Sequence, residues 1–197
     1  MERHKFEFQL IFHCAAVLSG KKPSNLICFS KESVPNLREL IAEYSVIFKR
    51  NGLAVRFLDD CEHRYMLLIY RPELLERYIS YTFIRRLLTE DGYGLEDSLE
   101  QLLDHLSYRL QTCPSFPHEI GLFLGYRASD VICFQKYQGV GCKLCGYWKV
   151  YCSVKRSKKC FQQFDSIRNK MLAMLQENYS FAEILEHQIC QPTIYAA

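Results

Sequence analysis

The sequence predicts an α+β domain: a small, mainly antiparallel sheet of about four strands, packed by five to seven helices. Three observations carry this. Strand-like runs fall at 25–29, 53–58 and 64–70, and only the polar stretch 59–63 parts the last two. That stretch can turn a hairpin but is too short for a helical crossover, so antiparallel pairing follows. Helical periodicity dominates the remainder. About half of the 197 residues are apolar and the net charge is only +3, so the chain can bury a core and is not of the disordered class. It reads as one domain over 1–197.

The first apolar stretch, 6–18, predicts a buried helix ended near Ser19-Gly20. Pro35 sits in the first turn of a second helix, whose stripe is Leu37, Leu40, Ile41, Tyr44 and Phe48 and whose stop is Asn51-Gly52. The run 64–70 is apolar on both faces, which predicts a central strand. Pro72 opens a helix to about 88. Leu95, Leu99, Leu102, Leu103, Leu106 and Leu110 predict an amphipathic helix over 95–110. A short helix is expected between His118 and Gly125, and another from about 129 to 138. Alternation over 146–152 predicts a strand with Tyr147, Lys149 and Tyr151 on one face and Trp148, Val150 and Cys152 on the other. A long helix closes the pattern over 154–178, its stripe being Phe161, Phe164, Ile167, Met171 and Leu175. The segment from Ser180 is weakly amphipathic.

No apolar run approaches the roughly 20 residues of a spanning helix, and the N-terminus begins amid charges of both signs. Neither a membrane segment nor a signal peptide is expected, which places the protein in the cytoplasm. Ten cysteines are many for that compartment. Most lie inside apolar patterns, where a thiol behaves as a small hydrophobe. No phosphate loop, dinucleotide fingerprint or zinc-protease motif occurs, and the residues specify no cofactor.

Charge is unevenly spread. Between Arg127 and Lys170 ten Lys or Arg stand against two acids, a net +8, while Arg71 to Glu119 carries −4. Lys155, Arg156, Lys158 and Lys159 crowd the first turn of the last long helix, where the dipole disfavours cations. Helix stability does not account for that placement; a waiting anion does, the other account being a solvated face.

Three stretches stand out: His13-Cys14 with Gly20, Lys22-Pro23 and Asn25-Leu26; Phe116-Pro117-His118-Glu119-Ile120-Gly121 with Phe123-Leu124-Gly125-Tyr126 and Asp130-Val131; and Gly146-Tyr147-Trp148-Lys149-Val150-Tyr151. Together they resemble a bacterial family, domain-of-unknown-function family 3793. The resemblance spans about residues 10–175. It implies no activity or ligand, only the company of flavodoxins and ferrous-iron transport systems. Arg127 departs from the family's proline, and the Cys142–Cys145 pair is not a fixed family feature.

The leading functional expectation is a non-enzymatic binding or accessory module of iron or redox metabolism. Its basic C-terminal face would dock an acidic redox protein such as a flavodoxin, or an anionic cofactor, rather than nucleic acid. The ligand-binding candidates are His13, Glu119, Trp148, Lys149, Lys155, Arg156, Lys158 and Lys159. The first alternative is a thiol- or histidine-dependent enzyme, with His118 as base and Cys14 or Cys145 as nucleophile. The second is a small metal or Fe–S protein using Cys142 and Cys145, whose spacing is that of a metal knuckle lacking its second pair.

Overall fold

Strand β3 (Arg64–Tyr70) organises the structure. It lies between β1 (Ser24–Ser30) and β2 (Ala54–Asp60), antiparallel to both, with Leu26 and Arg56 opposite Leu68. The computed structural model describes residues 2–187; Cys190, one of the ten cysteines, lies outside them. Successive side chains of a strand point to opposite faces, and both faces of β3 are covered. Tyr65, Leu67 and Ile69 join one apolar cluster, Leu68 and Tyr70 the other. This is why the run shows no polar alternation.

On one face lie α1 (Glu2–Leu18), α2 (Leu37–Arg50), α8 (Val154–Gln176) and α9 (Phe181–Glu186). Phe6, Phe29, Tyr44, Phe48 and Phe181 make the aromatic centre of that cluster. On the other lie α3 (Pro72–Ile79), α4 (Thr82–Glu90), α5 (Leu99–Thr112), α6 (Ile120–Phe123) and α7 (Ala128–Tyr137). A two-residue-per-strand hairpin, β4 (Leu144–Cys145) with β5 (Lys149–Val150), sits apart from the main sheet. Among the described residues no helix is long and apolar enough to cross a membrane.

The α+β class and the antiparallel order stand as expected. The counts differ: three strands plus the two-stranded hairpin, and nine helices among the described residues. The helix expected over 72–88 is two. Leu75 and Ile79 are four apart, as are Ile84 and Leu88, but five residues separate the pairs. One continuous helix would rotate the second pair about 140° away from the core, so the chain breaks at Ser80-Tyr81 and both pairs stay buried.

The helix expected from 95 begins at Leu99. Ser98 accepts from the Gln101 amide and Gln101 returns the bond, a capping box. Leu95, outside it, is exposed. The strand expected over 146–152 shrinks to β5. Tyr147 and Trp148 both turn toward Phe164 and Cys160, so strict alternation fails there. Gly146 permits the reversal, since a Cβ at that position would stand 2.4 Å from the Phe161 ring.

Candidate functional site

Three distant segments meet beside the N-terminal end of β1. Helix α1 ends at Leu18, and Gly20 in the turn after it sits in the left-handed region at φ +72°. Arg71 donates to the carbonyls of Val17, Leu18 and Asn51 at 2.6–2.9 Å, satisfying the end of the helix. The turn that follows sends Lys22 inward and sets Pro23 against Gly125. The Ser24 hydroxyl donates to the Phe123 carbonyl at 2.7 Å. A Cβ on Gly125 would lie 2.4 Å from Pro23, and its φ is +68°. Gly125→Ala should therefore destabilise the fold by about 2 kcal/mol or more through strain and collision, a loss readable by urea unfolding.

The Tyr126 ring lies under the Lys22 ammonium, 5.0 Å from Nζ to its centroid. Trp148 stacks on Tyr126 at 5.1 Å and 24°. Asp130, only 1% exposed, fixes the hairpin. It accepts from the Trp148 indole at 3.0 Å and from the amides of Tyr151 and Cys152 at 2.9 and 3.0 Å.

Between these parts opens a cleft of about 350 Å³. Phe12, Tyr126 and Tyr147 wall it with rings, and Leu26 and Leu124 add apolar surface. His13, Asn25 and Arg168 supply the polar atoms, and no carboxylate is among the lining residues. Arg168 donates to the Tyr147 hydroxyl at 3.2 Å, pairs with Asp165 at 2.7 Å and lies over the Phe12 ring. Behind Asn25 lies Lys22, 4% exposed. Its ammonium donates to Asn25 Oδ1 at 2.6 Å, and no ion pair among the described residues involves it.

Burial drives the electrostatics. It lowers the Lys22 pKa to about 8, against weaker contrary influences from the neighbouring thiols of Cys14 and Cys160. It raises the Cys14 thiol to about 12 and Cys160 to about 11. His13 is lowered by burial and then by the Arg168 charge, which keeps its ring neutral at pH 7.

A family model described as "Protein of unknown function (DUF3793)" matches residues 10–185. The chain belongs to the DUF3793 family. No curated protein and no solved structure matches it. The three stretches that carry the family resemblance supply His13, Asn25, Leu26, Leu124, Tyr126 and Tyr147 to this DUF3793 cleft, while Phe12 and Arg168 lie outside them.

The structure sorts the sequence candidates. His13 lines the cleft, Cys14 lies behind Asn25, whose amide approaches its sulfur at 3.9 Å, and Trp148 backs the Tyr126 wall. His118 does not join them. Its ring meets the edge of Phe134 at 5.0 Å, and among the described residues it has no hydrogen bond to Cys14 or Cys145. Lys149 is exposed and donates to the Gly139 carbonyl at 3.0 Å. Glu119 is 1% exposed and accepts from Arg109 Nε at 2.5 Å and the Tyr93 hydroxyl at 3.1 Å, an internal ion pair that leaves it no free face for a ligand.

Cys145 lies in β4 and Cys142 just before it. Among the described residues no three His, Cys, Asp or Glu side chains gather closely enough to hold a metal, so this pair has no third ligand there. Lys155, Arg156, Lys158 and Lys159 are all exposed on the first turn of α8, while Ser157 and Cys160 face inward.

Lys22, Asn25, Tyr126 and Arg168 were not legible as site residues. Lys22 is the second lysine of the short polar stretch Ser19-Gly20-Lys21-Lys22-Pro23 and reads as a solvated turn residue. Its place in the family resemblance was the one available signal.

Proposed function

We propose that this DUF3793 protein is a non-enzymatic accessory module of the cytoplasm. It docks an acidic redox protein of the flavodoxin kind through the first turn of α8. One observation carries the reading: Lys155, Arg156, Lys158 and Lys159 are presented together to solvent at a helix start that holds no acid. Among the described residues no ion pair reaches Lys155, Lys158 or Lys159. Four of the nine acids between Arg71 and Glu119 are engaged elsewhere. Glu100 and Asp104 pair with Arg56, and Asp91 and Glu119 with Arg109. The association with iron or redox metabolism rests on the family resemblance.

Binding is favoured over thiol chemistry because Cys14, the cysteine nearest the cleft, is fully buried and its thiol is pushed up to about 12. A thiol held protonated is a poor nucleophile.

Biolayer interferometry against a purified flavodoxin should show binding that weakens about tenfold or more from low to high salt, as expected of exposed charge pairs. The triple variant Lys155→Glu, Lys158→Glu, Lys159→Glu should abolish it. Salt-insensitive binding, an unchanged triple variant, or equal affinity for a DNA oligomer would each reject the docking surface.

A further inference from the structure

The cleft beside β1 is a second site, independent of the α8 surface, and its chemistry is specific. Its walls are three aromatic rings, its lining has no acid, and its one charged lining group is the Arg168 guanidinium. Asp165 occupies one side of that guanidinium; Tyr147 and Phe12 hold its plane at the cleft.

The decisive feature lies one layer deeper. Lys22 is nine-tenths buried and more, and among the described residues its ammonium donates one hydrogen bond, to a neutral amide, and no carboxylate compensates it. Buried charges in proteins are normally paired. Asp130 is also buried in this region, but its oxygens are taken by the Trp148 indole and two backbone amides. Asn25 lies between Lys22 and the cleft, so the uncompensated charge is directed there through a medium that screens it weakly. Tyr126 beneath Lys22 is a cleft wall.

We propose that this cleft binds a small organic acid with a single planar ring. The ring lies against Phe12, Tyr126 and Tyr147, and the carboxylate faces Arg168, the neutral His13 and the field of Lys22. Size fixes the class. A volume of about 350 Å³ holds roughly a dozen water-sized groups, which admits one ring with its acid group and not a dinucleotide. The bound carboxylate supplies the counter-charge that the described residues leave out. Fastening of Lys22 by the anion then raises its proton affinity, and binding takes up protons near pH 8.

Trp148 is the chain's one tryptophan and stacks on the Tyr126 wall, so its fluorescence reports on the site alone. The test titrates the purified protein, without any partner, with benzoate and phenylacetate and with their neutral amides, benzamide and phenylacetamide. At least one acid should change Trp148 emission and bind about tenfold or more tightly than its amide, as a charge-assisted contact requires. Lys22→Met and Arg168→Gln, checked for cooperative unfolding, should each remove that preference. Lys22→Met should also abolish the proton uptake seen by calorimetry in two buffers of different ionisation enthalpy. Amides that bind as well as the acids, an acid preference that survives in both variants, or a panel in which no acid alters Trp148 would overturn the assignment. None of these outcomes bears on docking at α8, whose variants leave the cleft intact.

Discussion

Lys22→Met should stabilise the protein at pH 7, by about 2 kcal/mol in urea unfolding. The substitution keeps all but the last atom of the side chain's length and removes a charge that no acid among the described residues compensates. The ammonium's pKa falls from 10.5 in water to about 8 in the fold, a difference worth roughly 3 kcal/mol of unfavourable burial. Methionine leaves Asn25 Oδ1 without its donor, which returns about 1 kcal/mol to the unfavourable side.

The pH dependence separates this account from ordinary repacking. Below pH 8 the lysine is charged in both states, and the native state bears the whole desolvation. Between 8 and 10.5 the unfolded chain binds more protons than the native one, so native stability rises with pH on Lys22's account. The variant's advantage should therefore shrink across that window and reverse by about 1 kcal/mol above it, where the neutral amine still donates to Asn25 Oδ1 and methionine does not. Cys14 and Cys160, the neighbours with raised pKa values, act in the opposite sense, favouring unfolding as pH rises above 9. Lys22 itself holds both thiols down, so its removal raises them further, and the comparison isolates Lys22 between about pH 8 and 9, below the range in which the thiols ionise in the unfolded chain. A constant difference from pH 7 to 10.5 would show that Lys22 is not held charged and uncompensated.

Asp130→Ala should be the most damaging single change near the cleft, costing on the order of 3–5 kcal/mol. Among the described residues the carboxylate is the acceptor for three donors: the Trp148 indole and the amides of Tyr151 and Cys152. Bonds to a charged acceptor contribute about 1.5–3 kcal/mol each, and buried donors left without one carry a desolvation cost. Asp130→Asn should be milder, about 1–2 kcal/mol, because one amide oxygen can still receive the two backbone N–H groups while the indole faces an NH₂. Both changes free Trp148 from its stack on Tyr126, so its emission should shift to the red even where the protein remains folded. Unchanged emission in a folded Asp130→Asn protein would mean that Asp130 does not position the ring.

These expectations draw unequally on the sequence. The central place of β3 was legible because a strand covered on both faces has no polar alternation. The stripes of α2 and α8 were legible because 3.6-residue periodicity is written locally. The same arithmetic puts Ser157 and Cys160 inside and Lys155, Arg156, Lys158 and Lys159 outside. The phase slip between Ile79 and Ile84 is also present in the sequence, and it divides the single helix expected over 72–88 into α3 and α4. The strand over 146–152 misled, since side chains near a two-residue hairpin follow the cluster they join and not the period of a long strand.

What the sequence alone determined is the α+β class, the antiparallel core and the four cations at the start of α8, all consequences of patterns within a few turns of chain. Only the tertiary structure decided that Lys22 is buried, that His118 and Glu119 lie away from Cys14, and that Phe12, Tyr126, Tyr147 and Arg168 share one cleft. The reason is physical: periodicity is a property of neighbours along the chain, whereas desolvation and charge compensation are sums over every segment that arrives in space. Lys22, Tyr126 and Trp148 are brought together from more than a hundred residues of sequence, and the environment that makes the lysine unusual exists only once they meet.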